Sequence, residues 1–125
     1  MSQSILIADD ELHIRALLEQ TLEDLEDEGV ELLTAANGQE ASDIIKEEEP
    51  NLVFLDVMMP KIDGYQVRHQ AKHSLALTRT FIVLLTAKGQ EADQQKGYAA
   101  GADIYMTKPF DPDEVLAKAE EVLGL

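Results

Sequence analysis

Short runs of consecutive apolar residues recur along this chain and are separated by longer, mixed segments. Within a run, apolar and polar positions do not alternate, and several runs are rich in β-branched side chains. Such runs are typical of short strands that are buried on both faces of a parallel sheet. The pattern predicts five strands, over residues 4–8, 30–36, 52–55, 80–85 and 102–106.

The segments between the runs show apolar residues at helical spacing. The first predicted helix carries one apolar stripe, formed by Ile14, Leu17, Leu18, Leu22 and Leu25. Gly29 is predicted to end that helix, and Asn37 is predicted to cap the second, which stops before Pro50. Further helices are predicted over residues 64–73, 88–100 and 111–123. Pro112 suits the first turn of the last helix.

Strands and helices therefore alternate along the whole chain. This alternation implies an α/β fold, in which right-handed crossovers place helices on both faces of a parallel sheet. We expect residues 1–125 to form a single domain of this kind, long enough to bury a substantial core. In a parallel sheet all the carboxyl ends lie at one edge, where open α/β sheets bind their ligands.

The composition limits the classes of function. The chain has no cysteine, which excludes disulfides and thiolate metal sites. Its apolar runs are far shorter than a membrane span and its first four residues do not make a signal peptide, so we expect a soluble, cytoplasmic protein. Residues 1–60 carry sixteen acids and two bases, and residues 61–125 carry nine acids and eight bases, for a net charge of −15. A chain this acidic lacks the basic surface that direct nucleic-acid binding requires.

Polar and charged residues stand where four of the predicted strands end. They are Asp9 and Asp10 after the first strand, Asp56 after the third, Thr86 after the fourth and Lys108 after the fifth. Because parallel strands place their carboxyl ends on the same side of a sheet, we expect these five side chains to converge on one pocket if the strand order is 2-1-3-4-5.

The residue types at these strand ends indicate a particular chemistry. Three carboxylates in one pocket repel each other unless a cation lies between them. Mg²⁺ suits such a site because it takes oxygen ligands, needs few protein donors and keeps several waters. A lysine ammonium pairs with an anionic oxygen, and a threonine hydroxyl can donate a hydrogen bond to one. Together these groups predict a site for a metal-bound phosphoryl group.

The same residues carry a resemblance to a known family that covers residues 5–123. It rests on Asp9-Asp10, Leu55-Asp56, Met59-Pro60, Asp63-Gly64, Leu85-Thr86-Ala87, Gly101-Ala102 and Lys108-Pro109-Phe110. In these motifs the chain resembles the receiver domain of response regulators, the phosphoacceptor half of two-component signalling. The resemblance implies a flavodoxin-like, doubly wound (βα)5 fold. It also implies a phosphoacceptor switch that promotes only its own phosphorylation and dephosphorylation.

The resemblance implies a role for the acidic residues. Asp56 is expected to accept a phosphoryl group from the phosphohistidine of a sensor histidine kinase or of a phosphotransfer protein. Asp9, Asp10 and Asp56 are expected to hold Mg²⁺ together with the backbone carbonyl of Met58.

The resemblance also implies how the signal leaves the pocket. Thr86 and Lys108 are expected to contact the phosphoryl oxygens, and Tyr105 matches the position of the family's switch aromatic. A downstream protein would then recognise the surface formed by the helix over residues 88–100, the fifth strand and the last helix. No direct contact with nucleic acid or membrane is expected.

Two other functions also use an acid or a phosphate site at the end of a strand. A phosphatase of the haloacid-dehalogenase type uses a strand-end Asp and Mg²⁺, but it places an Asp-x-Asp pattern after its first strand, whereas Asp9 and Asp10 are adjacent here. A flavodoxin-like electron carrier needs a Ser/Thr/Gly-rich phosphate loop at that point, and Asp-Asp-Glu would repel phosphate. Turnover of a phosphate ester would favour the phosphatase, and a coloured protein would favour the electron carrier.

Three alternatives stay open at the level of single residues and of the chain. Tyr105 could be an ordinary packing residue of its strand. His69 and His73 have the i, i+4 spacing of zinc ligands, but we expect them on a solvated surface. No output domain follows the last helix, so we expect either a regulator that acts alone through protein contacts or a piece of a longer one.

Overall fold

The computed structural model of the chain describes residues 3–57, 64–69, 80–87, 104–108 and 110–125. The strands are β1 (Gln3–Ala8), β2 (Val30–Ala35), β3 (Leu52–Asp56), β4 (Phe81–Ala87) and β5 (Ile104–Lys108). The helices in the described ranges are α1 (Leu12–Leu22), continued by a 3₁₀ helix (Glu23–Glu28), then α2 (Gly38–Glu48), α3 (Gly64–His69) and the last helix, α4 (Pro112–Leu123). In this part of the chain no helix has both the length and the apolar character needed to cross a membrane.

All five strands run parallel in one sheet, in the order β2-β1-β3-β4-β5. This order confirms the α/β class and the predicted order 2-1-3-4-5. β3 is the central strand, and all five of its residues are buried. A strand that is covered on both faces can be apolar throughout, which explains why its sequence shows no alternation.

The core consists of two clusters, one on each face of the sheet. Ile7, Phe54 and Val83 point to one face, where they pack with residues of α1 and α4. Leu6, Val53, Leu55, Ile82 and Leu84 point to the other face, where they pack with residues of α2 and α3. Burying one such side chain is worth about 1.5–3 kcal/mol relative to leaving it exposed, so the two clusters fix the sheet and its edges in place.

The first helix differs from its prediction in two ways. Leu17 was predicted in the apolar stripe but is 40% exposed, because the stripe centres on the buried Leu18 and Leu22 and Leu17 lies about 100° to one side. The α-helix ends at Leu22, and a 3₁₀ helix carries the buried Leu25 to Gly29. Gly29 has a φ of 87°, so the predicted stop at this glycine is confirmed.

The last two strands run further than predicted. Pairing between β4 and β5 continues through Thr86 with Thr107 and Ala87 with Lys108. Thr86 and Lys108 are therefore strand residues that a hydrogen-bond ladder holds in place, and not loop residues. Residues 70–73 of the predicted third helix, the helix predicted over residues 88–100 and the predicted start of the fifth strand at residues 102–103 lie outside the described residues.

The ends of α2 show how local chemistry sets an element's limits. The side chain of Asn37 accepts a hydrogen bond from the amide of Glu40 at 2.9 Å, which confirms the predicted cap. A carboxylate oxygen of Glu40 in turn accepts from the amide of Ala36 at 3.1 Å, so the start of the helix is closed reciprocally. The helix ends at Glu48, and the residue after it, Glu49, adopts a left-handed φ of 45°.

Asn51 ties three strands together at the amino edge of the sheet. Its side-chain oxygen accepts from the amide of Ser4 at 3.0 Å, and its own amide donates to the carbonyl of Ser4 at 3.0 Å. Its carbonyl accepts from the amide of Phe81 at 3.0 Å. This residue fixes the starts of β1, β3 and β4 relative to each other, so the opposite ends of these strands are also brought level.

Candidate functional site

The register of the strands explains why three charged side chains meet. In parallel strands, paired residues project from the same face and successive residues from opposite faces. The register between β1 and β3 brings Asp9 level with Asp56. Asp56 pairs with Leu85, Leu85 pairs with Met106, and Lys108 lies two residues beyond Met106 on the same face. Asp9, Asp56 and Lys108 therefore project from the face that α1 and α4 cover, at the carboxyl edge of the sheet.

Asp9 is fully buried, and every one of its polar atoms has a partner. Its amide donates to the carbonyl of Ala35 at 3.1 Å. Its Oδ1 accepts from the amide of Glu11 at 2.9 Å, and its Oδ2 lies 2.8 Å from Nζ of Lys108. Its carbonyl oxygen accepts from Nη1 of Arg15 at 2.6 Å. A buried carboxylate requires such compensation, so the position of Asp9 is set from all sides.

Lys108 bridges two of the carboxylates. Its Nζ lies 2.8 Å from Oδ2 of Asp9 and 3.3 Å from Oδ1 of Asp56, and its side chain is only 17% exposed. Burial by itself lowers the pKa of Lys108, but the hydrogen bond to Asp9 and the attraction of Asp56 and Asp9 outweigh burial. The pKa of Lys108 is therefore raised above its ordinary value of 10.5, and the ammonium is charged at neutral pH.

Three carboxylates form the acidic cluster of the site: Asp9, Asp10 and Asp56 each offer an oxygen within 4.8 Å of the others. Asp9 and Asp56 are buried, whereas Asp10 is exposed, so the cluster is accessible to solvent. A set of hard oxygen donors at this spacing fits a divalent cation such as Mg²⁺, which takes few protein ligands and keeps waters on its open side. The cluster could therefore bind a metal ion.

The backbone that follows Asp56 is packed closely against the start of α3. The amide of Gly64 donates to the carbonyl of Val57 at 2.9 Å. A Cβ atom on Gly64 would lie only 2.5 Å from the carbonyl oxygen of Asp56 and 2.9 Å from Cα of Val57. Since backbone atoms cannot move aside without shifting β3, only glycine fits here, and α3 rests directly on the strand end that carries Asp56.

Thr86 stands one residue beyond the partner of Asp56, on the neighbouring strand and on the opposite face of the sheet. It is 1% exposed, and within the described part of the chain its hydroxyl oxygen has no hydrogen-bond partner. A buried hydroxyl without a partner costs about 1–3 kcal/mol, so this position suits an incoming acceptor. Tyr105 pairs with Leu84, two residues before Thr86, and therefore shares the face of Thr86. Tyr105 is half-buried and packs against the cluster beneath α2 and α3.

The structure thus brings Asp9, Asp10, Asp56 and Lys108 together and places Thr86 at the same edge with Tyr105 beside it. Met58, whose carbonyl was predicted as a metal ligand, lies outside the described residues. His69 is exposed at the end of α3, and His73 is also outside the described residues.

Arg15, which was not among the site residues predicted from the sequence, holds the backbone of the loop between β1 and α1. A signal was present in the sequence. Arg15 is one of only two bases among residues 1–60. It also lies near the start of a helix, where the helix macrodipole disfavours a positive charge. A base at such a position indicates a local partner, here the carbonyl oxygen of Asp9.

The chain is similar to known proteins over nearly its whole length. Residues 5–120 match the family model of the response regulator receiver domain. The chain is 45% identical over 121 residues to "Probable transcriptional regulator ycf27" of Cyanophora paradoxa. The aligned region covers 97% of this chain and 48% of that protein. It is 42% identical over 123 residues to the alkaline phosphatase synthesis transcriptional regulatory protein PhoP of Bacillus subtilis (strain 168). Here the aligned region covers 98% of this chain and 48% of that protein.

A solved structure shows the same fold. The chemotaxis response regulator CheY4 of Vibrio cholerae matches with a TM-score of 0.83 and 30% sequence identity, over 98% of this chain and 99% of that chain. By contrast, the chain spans about half the length of the curated relatives it matches.

Proposed function

The chain belongs to the response regulator receiver domain family, and from this premise we propose that it is a phosphorylation-driven switch with Asp56 as the phosphoacceptor. The phosphoryl group comes from the phosphohistidine of a sensor histidine kinase or of a phosphotransfer protein. Mg²⁺ is the cofactor, and residues 1–125 act as a single receiver domain.

One observation carries the proposal: Asp56 ends the central strand with a cation and two further acids around it. Its Oδ1 lies 3.3 Å from the ammonium of Lys108, and oxygens of Asp9 and Asp10 lie within 4.8 Å. A carboxylate can attack a phosphoryl group only if the negative charge on both partners is offset as they approach. Lys108 supplies part of the positive charge that this approach requires. The acidic cluster is suited to holding a divalent cation, which would supply the remainder.

The residues of the chain have separate tasks in the transfer. An oxygen of the ionised Asp56 carboxylate bonds to phosphorus, while the bond from phosphorus to the donor histidine breaks and its electron pair stays on that nitrogen. Asp9, Asp10, Asp56 and the carbonyl of Met58 would hold Mg²⁺, which would supply positive charge to offset that of the phosphoryl oxygens. Lys108 exchanges its longer contact, with Asp56, for a phosphoryl oxygen, while its shorter contact with Asp9 keeps it in place.

Thr86 and Tyr105 pass the signal on. The buried hydroxyl of Thr86 donates to a phosphoryl oxygen, a charge-assisted hydrogen bond that is stronger than a neutral one. To make this bond, the side chain of Thr86 moves toward Asp56. Its movement opens space on the face that Thr86 shares with Tyr105, and the ring of Tyr105 turns inward to fill that space. The surface formed by β5, α4 and the helix predicted over residues 88–100 changes as a result.

The partners follow from this switch. A kinase or phosphotransfer protein supplies the phosphoryl group, and a downstream protein reads the changed surface. Relatives such as PhoP of Bacillus subtilis are named as transcriptional regulatory proteins, so control of transcription is the proposed output. The net charge of −15 argues that residues 1–125 act there through protein contacts and not by binding nucleic acid directly. We place this exchange in the cytoplasm and away from membranes.

Phosphorylation by a small-molecule donor tests the assignment. Incubation with acetyl phosphate and Mg²⁺ should add the mass of one phosphoryl group to the wild-type protein. Asp56→Asn should take up none, because an amide cannot form an acyl phosphate by this route. Asp43→Asn, at an exposed position on α2, is the matched control and should react like wild type.

Two results would contradict the proposal. The first is equal labelling of Asp56→Asn and wild type, which would move the phosphoacceptor to another residue. The second is labelling that is unchanged when the metal is removed with a chelator, which would show that Mg²⁺ has no part in the transfer.

A further inference from the structure

We propose that Arg15 is a positioning residue that sets Asp10 for metal binding, an inference that rests on the proposed Mg²⁺ site. Nη1 of Arg15 donates to the carbonyl oxygen of Asp9 at 2.6 Å. A guanidinium donor makes this bond charge-assisted and stronger than a neutral hydrogen bond. The contact does not touch the metal-binding carboxylates themselves.

The bond acts on Asp10 through the peptide plane. The carbonyl of Asp9 belongs to the planar peptide unit whose nitrogen is that of Asp10. By holding this carbonyl, Arg15 fixes the rotation of the plane and thus the direction in which the next residue leaves it. Asp10 is the exposed member of the acidic cluster, so its carboxylate depends most on the backbone for its placement.

Arg15 also closes the loop at its far end. The amide of Arg15 donates to the carbonyl of Glu11 at 3.1 Å, at the start of α1, and the amide of Glu11 donates to Oδ1 of Asp9 at 2.9 Å. The side chain and backbone of Arg15 therefore tie both ends of the loop that carries Asp10. Outer partners that orient metal ligands in this way typically change metal affinity about 10- to 100-fold when they are removed.

The two effects of Arg15 on Mg²⁺ binding have opposite signs. Its hydrogen bond to Asp9 favours binding, whereas its positive charge opposes it. A positive charge near the site repels a divalent cation, so the loss of this charge alone would strengthen Mg²⁺ binding. The loss of the hydrogen bond from Arg15 to the carbonyl of Asp9 would weaken Mg²⁺ binding. The direction of the change in the dissociation constant therefore distinguishes positioning from simple electrostatics.

The test uses Arg15→Met and Arg15→Lys, with Lys118→Met as a control that removes one positive charge from α4. Mg²⁺ dissociation constants are measured by NMR titration of backbone amides. We expect a dissociation constant about 10-fold higher in Arg15→Met, an intermediate value in Arg15→Lys, and the wild-type value in Lys118→Met. The amide signal of Asp10 should also shift in metal-free Arg15→Met and stay unchanged in Lys118→Met.

The outcomes separate this inference from the proposed function. If the wild-type protein shows no saturable Mg²⁺ response at all, the metal site itself is wrong. If wild type responds, and Arg15→Met binds Mg²⁺ as tightly as wild type or more tightly, Arg15 does not position Asp10. Should Arg15→Met fail to fold, Arg15→Lys carries the test, and a dissociation constant equal to that of wild type overturns the proposal.

Discussion

Lys108 determines the charge balance of the pocket at the scale of single residues. It offers one positive charge to Asp9 and Asp56, which are 0% and 7% exposed in their side chains. The bridge adds little net stability compared with an apolar core, since burying three charges is costly. Its removal, however, leaves two buried carboxylates without their common cation.

We predict that Lys108→Met lowers the free energy of unfolding by about 3 kcal/mol without Mg²⁺. Millimolar Mg²⁺ should restore part of this loss, because the metal supplies positive charge to the same carboxylates. Urea denaturation with chelator or Mg²⁺ measures both effects. Lys118→Met is the control, since Lys118 pairs with the largely exposed Glu121 at 2.9 Å and its loss should cost no more than about 1 kcal/mol. Equal losses in the two variants would contradict the prediction.

The same residue predicts a dependence on alkaline pH. The pKa of Lys108 is raised on folding above 10.5, so its contribution to stability is complete below about pH 10.5 and is lost as pH rises through the folded pKa. The stability difference between wild type and Lys108→Met should therefore be constant from neutral pH to about pH 10.5 and shrink above this point. A difference that stays constant throughout the alkaline range would show that the charge of Lys108 does not matter.

At the scale of elements, the pairing of β4 with β5 connects the pocket with the surface. Residues at even positions of β4 share a face with residues at odd positions of β5, so Thr86 and Tyr105 are neighbours on the side covered by α2 and α3. Asp56 and Lys108 lie on the other side. Under the proposed function, a phosphoryl group on Asp56 would reach across the edge of the sheet, so that one modification would affect both faces.

We predict that Thr86→Ala still accepts a phosphoryl group but transmits the signal weakly. In wild type, amide NMR with and without beryllofluoride, a phosphoryl mimic, should show changes from Asp56 through Thr86 to Tyr105 and into residues 90–97. In Thr86→Ala the changes near Asp56 should persist and those near Tyr105 should fade. Thr107→Ala, an exposed partner of Thr86 in the β4–β5 register, is the control. Wild-type changes confined to the loops that carry Asp9, Asp10 and Asp56 would leave Tyr105 as a packing residue.

The elements also show what the sequence could predict and why. Uninterrupted apolar runs predicted all five strands, because a doubly covered sheet buries such runs. The order of the strands came from the family resemblance and not from the runs. The limits of β4 and β5 were predicted too short, since Thr86 and Lys108 are polar and only the ladder of the neighbouring strand keeps them extended. The partners of Asp9 could not be read from spacing either, because the bond from Arg15 depends on how the loop turns in three dimensions.

At the scale of the whole molecule, the net charge of −15 works against compactness. Like charges on a folded protein repel each other, and salt screens this repulsion. Added NaCl should therefore raise the melting temperature of the chain. Mg²⁺ would act in two ways, through the same screening and through binding to the acidic cluster.

We predict that Mg²⁺ stabilises wild type beyond NaCl of equal ionic strength. A ligand that binds only the folded state adds about 1.4 kcal/mol when its concentration is tenfold above the dissociation constant. Thermal melts should show this excess in wild type and in the control Asp43→Asn. In Asp10→Asn the excess should largely vanish, while the response to NaCl persists. If MgCl₂ and NaCl stabilise wild type equally, the cluster does not bind the metal specifically.

The strand order has a consequence for a chain that is synthesised from its amino end. β2, β1 and β3 are neighbours, so residues 3–57 can pair three strands before β4 and β5 have left the ribosome. This first half already holds the acidic cluster, whereas the bridging ammonium arrives only with the last strand. Until β5 docks, the carboxylates at the edge repel each other without the ammonium of Lys108 between them. The pocket is therefore completed together with the sheet, so under the proposed function the nascent chain would become competent for phosphorylation only at the end of its folding.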